Sequence, residues 1–328
     1  MKYYIVIDCG TTNTRISLIN LAREVLYTYK ANVGVKNTAI DGNNSKIKDA
    51  VKKGIEEIIK NTDIDKKEIK KILASGMITS DVGLYELPHI TAPAGKEDFK
   101  ILSKEVLIED VCDIPITFIP GVKNNVSDIK NQFEAMDIMR GEEVETIAVL
   151  ETLEKNKEYL IVLPGSHTKF IHIDNKGKIT GCLTTLTGEL IETITKNTII
   201  ADSVGRDFVN EYDKESTIKG AKVTEKTGFG RAAFSVRIYN RFVENDKNLV
   251  ANYLLGVCLK NDVIAVKNSS TLNVNKDINV VVAGKEPLKT AIIDVFKEDG
   301  YFKNVFGFNH DKEKYISALG AISIFESR

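Results

Sequence analysis

Alternating hydrophobic and polar residues open the chain and predict three β-strands, at residues 3–7, 15–19 and 23–30. Hydrophobic residues then recur at helical spacing over about residues 45–61, with Lys and Glu between them, which predicts an amphipathic helix. Residues 69–74 again have the pattern of a strand. The beginning of the chain is therefore predicted to form a strand meander, a helix and a further strand.

The same order of predicted elements returns in the second half of the chain. Its strands are predicted at residues 159–163, 170–173, 179–183 and 278–283, and its helices at about residues 188–200, 231–266, 287–297 and 312–326. Between the two series lie a turn-rich loop at residues 83–95, a strand at 116–119 and a helix at 137–153. We predict an α/β protein of two ribonuclease H-like domains, residues 1–155 and 156–328, with an active-site cleft between them. An unrelated pair of α/β domains is the alternative.

Length and composition support this organisation and exclude some partners. At 328 residues the chain exceeds the usual size of a single hydrophobic core. Lys and Arg are spread along the chain and the net charge is −1, so we expect no nucleic-acid or membrane partner. We recognise no leader and no apolar run of membrane-spanning length. The cysteines form no CxxC pair, which favours reduced thiols in a cytoplasmic protein, at Cys9, Cys112, Cys182 and Cys258.

The turn between the first two predicted strands combines an acidic residue with a glycine and hydroxyl side chains. Asp8 ends the first strand, where a carboxylate can hold Mg2+ directly or through water. Backbone amides and hydroxyls of the turn can converge on an anion. The predicted phosphate-binding residues are Asp8, Gly10, Thr11, Thr12, Asn13 and Arg15. An N-terminal hairpin with a polar turn is the alternative interpretation.

A second turn of similar composition follows the strand predicted at residues 159–163. A glycine frees the backbone to approach a phosphate, hydroxyls can donate to it, and Lys169 can offset charge on the transferred phosphoryl group. His167 is interpreted as a hydrogen-bonding turn residue rather than as a catalytic base. The predicted nucleotide-binding residues of this half are Gly165, Ser166, His167 and Thr168, together with Gly284, which would let adenine or ribose pack against the backbone.

A carboxylate and an arginine between the two turns are the candidates for catalysis. A kinase that acts on an alcohol needs a base near the acceptor hydroxyl. Asp137 is predicted at a helix N-terminus, where the helix dipole keeps it ionised, and Arg140 one helical turn further on the same face. Arg140 can bind a substrate carboxylate or steady the phosphoryl group. The alternatives are an ordinary N-cap for Asp137 and a solvated helix face for Glu142 and Glu143.

Seven segments together resemble the 2-dehydro-3-deoxygalactonokinase family of the actin-like ATPase superfamily. They occur in the family's order over about residues 1–190. The two most specific are Gly76-Met77-Ile78-Thr79-Ser80 and Asp137-Ile138-Met139-Arg140-Gly141-Glu142-Glu143, and the others lie at residues 7–15, 88–95, 120–122, 163–169 and 186–189. Two departures are Cys9, where the family usually has Trp, and Lys285, where Arg usually follows the glycine.

The resemblance implies a reaction and a sugar pocket. An enzyme of this family uses ATP and Mg2+ to phosphorylate the terminal C6 hydroxyl of 2-dehydro-3-deoxy-D-galactonate in galactonate catabolism. The resemblance also implies that Arg140 and two loops bind the sugar acid, through Thr79, Ser80, Ala94 and Gly95.

Two other functions stay open at this point. One is a kinase for another sugar acid or polyol, since the phosphate turns do not distinguish acceptors. The other is a sensor that binds a nucleotide and a sugar acid with little turnover. The configuration of the substrate at C4, the nucleotide preference and the oligomeric state are also open, and a homodimer is compatible with the sequence.

Overall fold

The computed structural model describes residues 2–309 and 313–326. The chain forms two compact units: unit 1 comprises Met1–Lys155 and Lys314–Arg328, and unit 2 comprises Asn156–Glu313. The sequence-based division gave the whole of residues 156–328 to the second domain. Its last segment belongs to unit 1 instead, because the final helix packs there.

Strands and helices alternate along both units. The strands are β1 (Tyr3–Cys9), β2 (Thr14–Asn20), β3 (Val25–Ala31), β4 (Ile69–Gly76), β5 (Ile90–Thr91), β6 (Lys104–Val106), β7 (Ile116–Phe118), β8 (Val122–Lys123), β9 (Ile138–Met139), β10 (Tyr159–Leu163), β11 (Thr168–Ile173), β12 (Ile179–Thr185), β13 (Asn279–Val282) and β14 (Asn304–Gly307). The α-helices are α1 (Val35–Asp41), α2 (Ser45–Thr62), α3 (Lys96–Leu102), α4 (Glu142–Leu150), α5 (Thr187–Asn197), α6 (Lys214–Thr227), α7 (Phe229–Phe242), α8 (Lys247–Lys267), α9 (Leu288–Asp299) and α10 (Ile316–Phe325).

The two units have sheets of the same strand order. In unit 1 the order is β3-β2-β1-β4-β7-β6, and in unit 2 it is β12-β11-β10-β13-β14. Each sheet begins with an antiparallel meander whose first strand then pairs in parallel with the next strand of the chain. This repeated arrangement confirms the predicted α/β fold of two ribonuclease H-like units. A separate sheet of β5, β8 and β9 belongs to unit 1.

Strand alternation determines which side chains of unit 1 reach the site. Ile5, Ile7 and Cys9 of β1 belong to the hydrophobic core that α2 covers. Asp8 therefore points to the opposite face of the sheet, where α10 packs against β1 and β4. The β1 register places Asp8 between Arg15 of β2 and Ser75 of β4.

Helix α8 is the central helix of unit 2. Its length and composition would allow it to cross a membrane, so the expectation that no apolar run approaches that length is wrong. Most of its residues are buried against the sheet and the neighbouring helices, as in the core helix of a soluble protein. Hydrophobic residues occur on every side of this helix because it is surrounded by protein, although Asn252, Lys260 and Asp262 are buried with them.

Most of the other predicted elements are confirmed, including the helix over residues 45–61. The helix predicted over 137–153 begins only at Glu142, because Ile138 and Met139 pair with β8 and Gly141 has a φ of 110°. The helix predicted over 231–266 is two helices, α7 and α8, and the missed elements are β6, β8, β9, β14, α1, α3 and α6. The buried face of α6 carries Ser, Thr and Gly, and a side chain at its Gly220 would meet the Tyr253 carbonyl oxygen at 2.0 Å. The first residue of the last predicted helix, Lys312, lies outside the described residues.

Close contact between α4 and α10 requires a glycine. A Cβ added at Gly320 would lie 1.7 Å from the Val144 carbonyl oxygen. We expect Gly320→Ala to lower the free energy of unfolding by about 1–3 kcal/mol, since the two helices would have to separate. Denaturant titration of the full chain measures this effect.

Gly230 supplies the matched control for this experiment. It lies in α7 with nothing within 4 Å of its Cβ direction. Gly230→Ala should leave stability unchanged or raise it by up to about 1 kcal/mol, because alanine is the better helix former. Equal losses in the two variants would contradict the packing role of Gly320.

Candidate functional site

The first predicted phosphate turn joins β1 and β2. The Gly10 amide donates to the Asn13 carbonyl at 2.9 Å, and the first amides of α1 donate to the carbonyls of Gly10 and Thr11. The side chains of Thr11 and Thr12 are exposed. A Cβ at Gly10 would meet only the Asn13 carbonyl oxygen, at 3.8 Å. Gly10 therefore leaves open space beside the turn, as close approach of a phosphate requires.

Asp8 lies at the base of this turn with two partners beside it, Ser317 and Arg15. The Ser317 hydroxyl of α10 donates to its carboxylate at 3.0 Å. Arg15 lies across the strand pair and donates to the Lys314 carbonyl at 3.1 Å. Burial raises the pKa of Asp8, while the Ser317 hydrogen bond and the Arg15 charge act in the opposite direction. A cation beside Asp8 would relieve the cost of this buried carboxylate.

The N-terminus of α4 brings further carboxylates to the same place. Gly141 lies against Gly76, where its added Cβ would be 3.4 Å from the Gly76 Cα, and Gly76 pairs with Cys9 at the end of β1. Burial and the charges of Asp8 and Glu142 raise the pKa of Glu145 to about 8, and Arg15 opposes the shift. Glu145 therefore belongs to the electrostatic environment of Asp8 and Arg15.

The residues present fit Mg2+ only in part. Within residues 2–309 and 313–326, no group of three His, Cys, Asp or Glu side chains could hold a metal ion. Asp8 supplies a carboxylate oxygen beside the open turn, and Mg2+ in phosphate-transfer sites is commonly held by one or two carboxylates, phosphate oxygens and water. The donor set therefore fits a metal that arrives with a nucleotide.

Arg140 forms a second site at one end of β9. Its Nη1 donates to the Thr79 hydroxyl at 2.8 Å and its Nη2 to the Leu87 carbonyl at 2.5 Å, with His89 Nδ1 3.4 Å away. The lack of a side chain at Gly121 lets the imidazole and the arginine stem approach each other. Arg140 is half-buried and forms no ion pair with any residue that the structure describes. Burial lowers its pKa, while the charges of Glu143, Glu86 and Asp81 act in the opposite direction.

The structure does not bring Asp137 and Arg140 onto one helix face. Asp137 precedes β9, and its carbonyl accepts the Asn124 amide at 2.9 Å. Two strand residues separate it from Arg140, so the two side chains lie at opposite ends of β9 and point to opposite faces. The predicted helix N-terminus at Asp137 is wrong because β9 pairs with β8. Its role as a base stays a prediction.

The other predicted sugar-pocket residues lie in two segments, one beside Arg140 and one just before α3. Thr79 and Ser80 are buried, and their hydroxyls donate to the carbonyls of Gly76 and Met77. Ala94 is also buried, and Gly95 is the N-cap residue of α3. Contact of these residues with a sugar stays a prediction, and Thr79 already has a function in holding Arg140.

The second predicted phosphate turn joins β10 and β11 in unit 2. Ser166 and His167 are exposed at its tip, whereas Thr168 and Lys169 are buried in β11. The Lys169 ammonium donates to the Thr184 hydroxyl at 2.6 Å. His167 lies 2.9 Å from the Glu189 carboxylate, which fits a hydrogen-bonding turn residue. A Cβ at Gly165 would meet only the His167 carbonyl oxygen, at 3.6 Å, so space for a phosphate exists here too.

Two glycines bring other segments of unit 2 against this turn. A Cβ at Gly188 in α5 would lie 2.3 Å from the Gly165 carbonyl oxygen. Gly284 has a φ of 143°, and its Cβ would lie 2.7 Å from the ring of Pro164. The Gly284 amide donates to the Glu313 carboxylate at 2.7 Å. The segment predicted to bind adenosine therefore lies beside the second turn, within one unit.

Asp262 is a buried acid of α8 near this turn. The Thr187 hydroxyl donates to its Oδ1 at 2.5 Å, and Thr185 lies 2.9 Å from Thr187. The other oxygen, Oδ2, is buried without a hydrogen-bond partner among the described residues. Burial raises the pKa of Asp262 to about 7, and the two threonine hydroxyls act in the opposite direction.

Asp262 should make the stability of the protein depend on pH. Its pKa is raised in the folded state from an ordinary value of 3.8, so its contribution is fully present below that value and is lost as pH rises through about 7. We expect the free energy of unfolding to fall by about 2–3 kcal/mol between pH 5 and pH 8 through this group. Asp262→Asn should remove that part of the pH dependence in denaturant titrations, and an unchanged slope would contradict the assignment.

Several residues of these sites were not predicted from the sequence. They are Leu87, His89, Gly121, Glu145, Thr185, Asp262, Glu313 and Ser317. For Glu142 and Glu143 a solvated helix face was the alternative to a role in the site. Glu143 is fully buried and accepts the Gly141 amide at 2.7 Å, so that alternative is wrong for Glu143. The glutamates directly after the Arg-Gly pair were the available signal.

Comparison with known proteins identifies the family. The model of the 2-keto-3-deoxy-galactonokinase family matches residues 8–311. A curated Rhizobium meliloti strain 1021 protein, named as a 2-dehydro-3-deoxygalactonokinase, DgoK1, is 26% identical over 204 residues; the match spans 62% of this chain and 59% of that protein, less than two thirds of its length. The crystal structure of a protein assigned as a 2-dehydro-3-deoxygalactonokinase from Sinorhizobium meliloti has a TM-score of 0.78 at 19% identity, with 98% of each chain covered.

The structural match supports the fold, and the family match extends over nearly the whole sequence, including both turns, Arg140 and Gly284. The chain belongs to the 2-keto-3-deoxy-galactonokinase family.

Proposed function

We propose that the protein transfers the γ-phosphoryl group of ATP to the terminal C6 hydroxyl of 2-dehydro-3-deoxy-D-galactonate. The observation that carries this proposal is Arg140, a half-buried arginine that Thr79 and Leu87 hold in place and that forms no ion pair with a described carboxylate. Such a guanidinium suits the carboxylate of a sugar acid, because planar, bidentate recognition is the strength of arginine. A kinase for neutral sugars has no need of this cation.

Each unit has its own turn that suits a nucleotide phosphate. In unit 1, Thr11 and Thr12 are exposed donors beside the open space at Gly10. In unit 2, the corresponding exposed donor is the Ser166 hydroxyl, beside Gly165. The two turns resemble each other, and each has a glycine with open space in the direction of a Cβ. This resemblance supports phosphate as the kind of ligand that each turn binds.

The proton of the acceptor hydroxyl needs a base. Glu145 is the candidate that the structure supports, because it belongs to the environment of Asp8 and Arg15 and its pKa of about 8 lies near the working pH of a metabolic enzyme. Asp137 is the sequence-based candidate. Arg15 and Lys169 are the proposed cationic partners of the phosphates.

Asp8 is the residue that would hold Mg2+, directly or through water. When bound with the nucleotide, Mg2+ would neutralise charge on the phosphate oxygens. Asp8 is already oriented by the Ser317 hydroxyl, so its free oxygen lone pairs are directed before the nucleotide arrives.

An ADP-release assay with Mg-ATP and a panel of acceptors tests the function. The panel contains 2-dehydro-3-deoxy-D-galactonate, its gluconate epimer, the corresponding aldonic acids and neutral hexoses. We expect selective turnover of the galactonate-derived acid. Preference for another acid or a polyol would reassign the substrate within kinase chemistry, and nucleotide binding without turnover of any acceptor would support a sensor.

A cytoplasmic location, a homodimer and the lack of nucleic-acid and membrane partners belong to the same proposal. The near-neutral net charge of −1 supports the expectation on nucleic acid. Sedimentation of the purified chain measures the oligomeric state directly.

A further inference from the structure

We propose that Asp262 is a positioning residue for nucleotide binding, which acts through Thr187 and the first turn of α5 on the phosphate turn at Gly165. The inference deepens the proposed function, since it rests on the assignment of that turn to nucleotide phosphates. Asp262 itself lies in α8, in the core of unit 2, and is 1% exposed.

Hydrogen bonds between threonine hydroxyls and Asp262 connect α5 to α8. The Thr187 hydroxyl donates its single hydrogen to Asp262 Oδ1 at 2.5 Å. Thr185 then has to donate, either to Thr187 or to the same carboxylate. Thr187 is therefore tied to one place on α8.

The first turn of α5 contacts the turn that contains Gly165 and Ser166. Thr187 is the first residue of α5. In the same helical turn, the Glu189 amide donates to the Ser166 carbonyl at 3.0 Å, and Gly188 packs against the Gly165 carbonyl oxygen with no room for a Cβ. The position of Thr187 thus determines where α5 contacts the backbone of Gly165 and Ser166.

Burial of the Asp262 carboxyl group has an energetic cost. Asp262 Oδ2 is buried and accepts no hydrogen bond from any residue in the described ranges. A buried acceptor left unsatisfied destabilises the fold, so it calls for an explanation. Thr185 pairs in register with Thr168, the residue that follows the turn, so Thr185 lies beside the end of the turn.

Two matched pairs of variants test the proposal, with ADP binding in the presence of Mg2+ measured by calorimetry on the full chain. Thr187→Val removes the donor at nearly constant shape, whereas Thr187→Ser keeps it. Asp262→Ala removes the acceptor, whereas Asp262→Asn keeps a carbonyl oxygen there. We expect Thr187→Val and Asp262→Ala to raise the Kd for ADP about tenfold. Thr187→Ser and Asp262→Asn should keep the Kd within about twofold of wild type.

Further readouts separate positioning from general damage. The KM for the sugar acid should change far less than the Kd for ADP in each variant, and Thr187→Val combined with Asp262→Ala should be no worse than the larger single effect. An unchanged Kd in Thr187→Val would overturn the proposal. So would equal rises in Kd and KM with a fall in thermal stability, or a wild-type chain that binds no ADP.

The outcome is independent of the acceptor. If wild type phosphorylates no sugar acid but Thr187→Val still weakens ADP binding, the positioning role stands and the proposed reaction fails. If the reaction occurs and Thr187→Val binds ADP as wild type does, only the positioning role fails.

Discussion

Glu145→Gln is expected to lower kcat by about 10²–10⁴, the usual contribution of a general base, with little change in the Kd for ADP. Glutamine keeps the size of the side chain but cannot accept the proton of the acceptor hydroxyl. The expectation follows from the raised pKa of Glu145 and from the effect on it of the charges of Asp8 and Arg15, which pair at the end of the strands joined by the Gly10 turn. Single-turnover measurements with saturating Mg-ATP and sugar acid isolate the chemical step.

Asp137→Asn is the matched comparison for Glu145→Gln. Asp137 lies before β9, at the end of the strand away from Arg140, so its loss should leave kcat within a few-fold of wild type. The opposite result, near-full turnover in Glu145→Gln and a large loss in Asp137→Asn, would restore the sequence-based assignment. Comparable losses in both would place each carboxylate in the catalytic step.

The sequence predicted the parts of the fold that depend on local pattern. The β1–β2–β3 meander and α2 follow from alternation and helical spacing within each segment. Helix α6 was not predicted because the residues on its buried face are small and partly polar. Such residues suit close packing on α8 but give no hydrophobic periodicity. Helix α10 packs on unit 1 through contacts with residues distant in sequence, which no local sequence pattern predicts.

The candidate site divides in the same way. The two turns were predictable because a glycine and hydroxyl residues between two strands form a local signal. Ser317 and Glu145 were not, because each reaches Asp8 from an element distant in sequence. The error at Asp137 has a related cause: two residues of β9 pair with β8, and the helix can start only after Gly141.

Arg140→Ala is expected to raise the KM for the sugar acid by about 30- to 1000-fold, the usual cost of removing one partner of a buried, hydrogen-bonded charge pair. The Kd for ADP should not change. A 2-dehydro-3-deoxy sugar acid and its methyl ester, assayed side by side, show whether the loss concerns the carboxylate. Wild type should discriminate strongly between them, and the variant should not.

Arg140→Lys is the control that separates charge from geometry. Lysine keeps the positive charge but cannot donate to Thr79 and Leu87 while presenting a planar pair of donors to a carboxylate. We therefore expect it to recover only part of the loss. Full recovery in Arg140→Lys would show that the charge alone is recognised, and equal KM values for acid and ester in wild type would remove Arg140 from substrate recognition. Because Arg140 also ties Thr79 to Leu87, thermal unfolding of each variant is required to exclude a general loss of stability.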